Sequence, residues 1–149
     1  MTPELLHSLI VRPVVEELKW PQAPERELLL VAIAIQESKL KDRKQLPFGP
    51  ALSLWQIEPK TAVDCLKRCM RALELWKELV IAGALEYHLI HNDLAACAVA
   101  AGILRITPGK LPEVGDENGA WEYYQKAWRP GKPGPERWNG SYTKALDVM

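Results

Sequence analysis

Eight consecutive apolar residues, Leu28-Leu29-Leu30-Val31-Ala32-Ile33-Ala34-Ile35, constrain this chain more than any other feature. Pro24, Glu25 and Glu27 precede the run, and Gln36-Glu37-Ser38 follows it. Proline and acidic residues suit a helix's first turn, and the stretch from Pro24 to Ser38 is longer than an ordinary strand. A helix that is apolar all round is buried all round, so this segment predicts a central helix with the rest of the chain wrapped about it. The run falls far short of the roughly 20 residues that cross a bilayer, so stable membrane insertion is not expected.

The remaining segments carry helical periodicity cut by proline and glycine, and no internal repeat or low-complexity tract occurs. Leu5, Leu6, Leu9, Ile10, Val14 and Leu18 share one face of a first helix from Pro3 to Lys19, with a kink or break expected at Pro13. From Lys39 to Pro59 the period is lost, which predicts an ordered loop or very short strands. Thr61 reads as the cap of a helix to about Lys77, and a further helix covers about Glu78 to Ile90. Asn92-Asp93 restart an alanine-rich helix that Thr107-Pro108-Gly109 stops. The tail reads as a helix from Asp116 to Trp128, a loop from Arg129 to Pro135 and a last helix from Glu136 to Leu146. The sum is a single all-α domain over residues 1–149, a normal size for one core.

Lysine plus arginine number 19 and aspartate plus glutamate 19, so the formal charge is zero. A protein built mainly to neutralise nucleic-acid phosphates would show a clustered basic excess, and no nucleic-acid partner is expected. Three cysteines cannot complete a disulfide framework and are expected to be reduced. The first residues, Met-Thr-Pro-Glu-Leu-Leu-His, lack the pattern of a secretory signal, so synthesis in a cytoplasm without that export address is expected.

Glu37 is the most informative single residue. Apolar surroundings disfavour an ionised carboxylate, and so does the negative end of a helix dipole. Both effects favour a carboxyl that keeps its proton toward neutral pH, which is what a general acid requires.

Glu37-Ser38 is followed, eighteen positions after Ser38, by Gln56 within Ala51-Leu52-Ser53-Leu54-Trp55-Gln56-Ile57-Glu58-Pro59-Lys60-Thr61-Ala62. This arrangement resembles the soluble lytic transglycosylase and goose-type lysozyme group of the lysozyme-like superfamily. The group's pattern is Glu-Ser, a loop, then Gly-Ala-x-Gly-Leu-Met-Gln-Ile-x-Pro-x-Thr-Ala. The resemblance implies a lysozyme-like domain that cleaves the β-1,4 bond between N-acetylmuramic acid and N-acetylglucosamine in peptidoglycan, with Glu37 as acid and then base. It implies that Gln56 lines the glycan cleft and that Ser38 helps hold the glutamate and the loop. Trp55, beside Gln56, is expected in the cleft, and Ser53 with it.

The chain departs from the group in three places. Pro50 and Ser53 stand where the pattern has glycines. The later Ala-Tyr-Asn-Ala-Gly motif falls on Ala98-Val99-Ala100-Ala101-Gly102, so Val99 replaces a tyrosine that lies beside the group's catalytic carboxyl. Tyr87, Tyr123 and Tyr124 are the candidate substitutes, and Tyr123 and Tyr124 are also expected to bind substrate. Compactness and the N-terminal reading look most like a bacteriophage-encoded member, an endolysin or a virion enzyme, acting on the wall as a monomer.

A hydrolytic mechanism wants a second carboxylate roughly 5–9.5 Å from the acid, whereas a transglycosylase uses the substrate's own C6 hydroxyl. Asp42, Glu58 and Asp64 are the nearby candidates, and none lies in a partner motif. The single-acid reaction with a 1,6-anhydro product is therefore expected, with hydrolytic lysozyme activity as the alternative. A non-catalytic virion or wall-binding module is the alternative of another class.

Trp121, Trp128, Trp138 and Tyr142 join the aromatics that either line a sugar site or fill the core. Lys39, Lys41, Arg43 and Lys44 form a basic run that either steers anionic wall material or is a plain solvated loop. Cys65 with Cys69, and His88 with His91, have near-ligand spacings, but buried thiols and surface imidazoles are the default and no metal is expected. Cys97 reads as a small core residue. No organic cofactor is expected.

Overall fold

The polypeptide begins as α1 (Pro3–Leu5) and runs without a stop through a π-helical stretch, Leu6–Val11, into α2 (Arg12–Leu18). This computed structural model describes residues 1–131 and 133–149. The break expected at Pro13 is instead absorbed by widened turns: the Arg12 N–H bonds the His7 carbonyl five residues back, and the α-helical pitch resumes at the proline. His7, buried in the wide turn, meets Glu27 of the next helix at 2.8 Å.

That next helix, α3 (Ala23–Ser38), is the central one. Every residue from Leu28 to Gln36 is buried, as the run predicts. After the loop come α4 (Pro59–Arg68) and α5 (Met70–Leu79), then α6 (Leu85–His91), α7 (Asp93–Ile106), α8 (Glu117–Trp128) and α9 (Pro135–Asp147). The described residues contain no strand, only isolated bridges pairing Leu52 with Lys44 and Ile57. The chain is all-α, and its buried apolar residues from Leu6 to Ala145 form one core. Among the described residues no single helix is long and apolar enough to cross a membrane.

Two expected helices have different limits. Glu58, not Thr61, is the N-cap of α4, because Pro59 is pre-organised for the first helical position. The helix expected to continue to Lys77 breaks at Cys69, whose extended backbone lets α5 turn and pack along α7. The next break spans 80–84, where Gly83 takes a φ of +109°. The tail follows expectation, with Asp116 capping α8 through its bond from the Gly119 N–H. Within the expected loop from Arg129 to Pro135, position 132 lies outside the described residues.

The alanine-rich α7 is buried from Ala95 to Leu104 and lies against α3, α4, α5 and α6. Small side chains permit this approach: a Cβ on Gly102 would come within 2.7 Å of Cys65 Sγ and 3.0 Å of Ala72 Cβ. On the other side of α3 lies α9, joined to it by a buried relay in which Ser141 donates to Gln36 Oε1 and the Gln36 amide donates to Gly134 O. Packing on several sides holds the C-terminal turn of α3, and Glu37 with it, in place.

Candidate active site

Glu37 occupies the next-to-last position of α3 and is half-buried. The Tyr124 hydroxyl, from α8, donates to Glu37 Oε2. Tyr124 is itself only 1% exposed and is stacked on Trp138 of α9, with ring centroids 5.0 Å apart and planes 7° from parallel. Trp121 packs against both rings at 5.6 Å. The three rings form one cluster that backs the phenol holding the carboxyl.

Burial raises the Glu37 pKa above the ordinary carboxylate value, and the Tyr124 hydrogen bond and the charge of Arg137 oppose part of that rise. Burial, the neighbouring carboxylate and the bond to it push the Tyr124 phenol upward, so it stays a neutral donor. The pair presents a carboxyl that holds its proton more tightly than a solvated one.

The free side of Glu37 opens on a cleft of about 870 Å³, lined also by Gln45, Gln56, Glu58, Asp64 and Trp128. The loop from Lys39 to Pro59 forms one bank. Ser38 anchors its start, donating to Ala34 O at 2.9 Å and accepting from the Leu40 N–H at 3.2 Å. Lys39 and Leu40 then both take left-handed backbone, turning the chain sharply off the helix. Farther on, Leu52 and Ile57 exchange backbone hydrogen bonds at 2.9 and 2.7 Å. The Gln56 amide donates to Ser53 O at 2.9 Å and Asp42 O at 3.2 Å, which places this side chain at the cleft in a defined orientation. Arg43 fastens the loop to the first residue of α7 through two bonds to Asp93, of 3.0 and 2.7 Å.

Ser53 shows how the chain manages without a pattern glycine. Its φ is +73°, in the region glycine favours, and its hydroxyl accepts the Trp55 N–H at 3.1 Å. That local bond offsets part of the backbone strain. In the later segment, Val99 is fully buried in α7, and Tyr124 supplies a hydroxyl to the carboxyl.

Several expected substrate contacts need correction. Trp55 is 0% exposed, its indole N–H given to Leu30 O at 2.8 Å, so no sugar can stack on it. Ser53 is equally buried, and Ser38 is buried beneath the turn it holds. Tyr123 faces away from Glu37, its hydroxyl donating to Leu104 O and Thr107 O at 3.1 Å each. Tyr124 touches the carboxyl rather than open cleft, and Tyr87 is largely exposed and edges onto His88. Of the residues expected to bind substrate, Gln56 alone lines the cleft.

Trp128, one of the aromatics expected either to line a sugar site or to fill the core, lines the cleft. It is half-buried, and its indole N–H donates to Trp55 O at 2.8 Å across the loop–α8 junction. Trp138 and Arg137 act on the site from α9, a segment with no motif to mark them. Glu58 and Asp64 line the cleft, whereas Asp42 does not. Asp64 is paired with Arg68 at 3.2 Å.

Cys65, Cys69 and His88 are buried in the packing, whereas His91 is exposed. Burial pushes the Cys65 thiol up to about 12, and its Sγ donates to Val99 O. His88, expected at the surface, is buried and bonded to Ala82 O at 2.6 Å, with its ring edge-on to Trp76. Among the described residues no three His, Cys, Asp or Glu side chains are grouped to hold a metal ion. Cys97 is fully buried in α7.

No family model, curated protein or solved structure matches this chain.

Proposed function

We propose that the chain is a lysozyme-like domain that cleaves the β-1,4 glycosidic bond of peptidoglycan, as a lytic transglycosylase. One observation carries this reading. A carboxyl at the end of a buried helix, raised in pKa by burial and held by a tyrosine, faces a cleft whose other bank presents Gln56.

The cleft has the volume of a ligand site and is lined by both polar and apolar side chains, as a sugar's two kinds of surface require. Protonated Glu37 gives its proton to the glycosidic oxygen as the bond from that oxygen to C1 breaks. The carboxylate then takes the proton of the muramic acid C6 hydroxyl, whose oxygen closes onto C1 and yields a 1,6-anhydro sugar. The proton returns to Glu37, so one carboxyl serves both steps. Tyr124 fixes the rotamer of the acid, Gln56 orients the strand, and Trp128 offers a ring face to a sugar. No metal or cofactor is needed.

Hydrolysis is the second reading, because Glu58 and Asp64 line the same cleft and either can activate a water. Mass spectrometry of products from purified peptidoglycan separates the two: anhydro-muramic ends support the transglycosylase, and reducing muramic ends support the lysozyme. Glu37→Gln abolishes either activity. If wild type and Glu37→Gln both bind peptidoglycan and neither cleaves it, the domain is a wall-binding or virion module instead.

A further inference from the structure

A second concavity, of about 490 Å³, lies where the turn after α3 meets α9, and its lining includes Lys39, Lys41, Arg137 and Lys144. Buried Ile35 and Leu40 contribute apolar surface to it. Among the described residues, no carboxylate and no aromatic ring line it. Among the described residues none of the four cations forms an ion pair. In a chain with 19 basic and 19 acidic residues, four unpaired cations around one hollow are a pronounced local excess.

Their convergence is built into the backbone. Lys39 and Leu40 hold consecutive left-handed conformations, at φ of +53° and +58°, with the Ser38 hydroxyl accepting the Leu40 N–H. This turn buries Leu40 and sets Lys39 and Lys41 on either side of it, facing the two cations of α9. All four are solvent-exposed, and like charges gathered around one hollow repel one another. The same field attracts and concentrates anions.

We infer that this hollow is an oxyanion site that binds the phosphate groups of a linear polyphosphate chain. Three ammonium groups and a guanidinium supply more positive charge than one carboxylate neutralises, and lysines bind phosphate as point charges. Without an aromatic ring in the lining there is no platform for bases, so the site reads phosphate and not nucleobase. The hollow shares no lining residue with the Glu37 cleft, although the charge of Arg137 also reaches Glu37, and the inference does not depend on the glycosidase reading.

The test is a calorimetric titration of the whole protein with linear inorganic polyphosphate at low salt, alongside single-stranded DNA of equal phosphate number and anionic phospholipid vesicles. Saturable polyphosphate binding is expected, weakening as salt rises. In the Lys39→Gln/Lys41→Gln/Lys144→Gln variant it falls at least about tenfold, and the slope of log K against log salt becomes shallower by about 2. The control Lys67→Gln/Lys77→Gln/Lys110→Gln, which removes equal charge elsewhere, keeps wild-type affinity, and circular dichroism verifies both folds. Absence of saturable binding, or equal loss in the control, overturns the site. DNA binding at least about tenfold tighter than polyphosphate, or vesicle binding without polyphosphate binding, overturns the assigned ligand.

Discussion

The Tyr124 hydroxyl donates to Glu37 Oε2 across 87 residues of sequence, joining the end of α3 to α8. The bond favours the ionised carboxylate while burial favours the neutral acid, and burial is the larger effect. The acid's strength is therefore set by burial on one side and by the Tyr124 bond and the Arg137 charge on the other, which different mutations reach separately.

Removing the hydroxyl alone moves the balance further toward the proton. In Tyr124→Phe the ring keeps its stack on Trp138, so the fold is retained, and the Glu37 pKa rises above its wild-type value. Carbon-13 NMR titration of the Glu37 carboxyl reads this directly. Under the proposed function, glycan cleavage falls about 10²-fold because the acid loses its fixed rotamer. An unchanged or lowered Glu37 pKa would show that the hydroxyl does not stabilise the carboxylate.

A carboxyl whose pKa is higher folded than unfolded binds its proton more tightly in the native state. Its stabilising effect is present at acid pH and is lost as pH rises from the ordinary carboxylate range through the raised folded value. Glu37→Gln cannot ionise and still offers an amide oxygen to Tyr124. The variant's Tm is therefore expected to gain on wild type by a few degrees across that window and to hold the gain above it. A Tm difference that stays constant with pH would contradict the raised pKa.

Trp55 and Trp128 separate core from cleft. Trp55→Ala costs about 3–5 kcal/mol of stability, since a fully buried indole is removed. Trp55→Phe costs about 1 kcal/mol through the lost bond to Leu30 O and leaves KM for glycan unchanged. Trp128→Phe keeps a ring face at the cleft and changes KM little, whereas Trp128→Ala raises it several-fold. Denaturant melts and steady-state turnover on the same preparations check all three; a KM effect from Trp55→Phe larger than from Trp128→Ala reverses the assignment.

Gly102→Ala is expected to lose about 1–3 kcal/mol, because the new methyl meets Cys65 Sγ and Ala72 Cβ at less than normal contact distance. Cys65→Ala in the same chain opens the space and recovers part of that loss, which a double-mutant cycle in urea measures. Additive losses would mean the two side chains do not meet.

The apolar period placed most helices and the buried status of α3 directly, since burial on every side is written into Leu28 to Ile35. The break at Cys69 carried no local signal; no proline or glycine marks it, and packing on α7 makes it. At the site, Glu37 and Gln56 were legible because a helix end and a motif place them locally. Trp55 and Tyr123 belong to the core although the pattern also fits a cleft, because cleft and core aromatics have the same sequence signature and only exposure tells them apart; Ser53 is buried in its own turn, its hydroxyl held by the Trp55 N–H.

The order of residues alone determined that an acidic group would sit at the end of a buried helix, because hydrophobic periodicity acts within one segment. Which tyrosine would reach that group was decided by tertiary structure. Val99 and Tyr124 lie on different helices, and only the packing of α8 and α9 around α3 brings the phenol of one to the carboxyl while burying the other in the core.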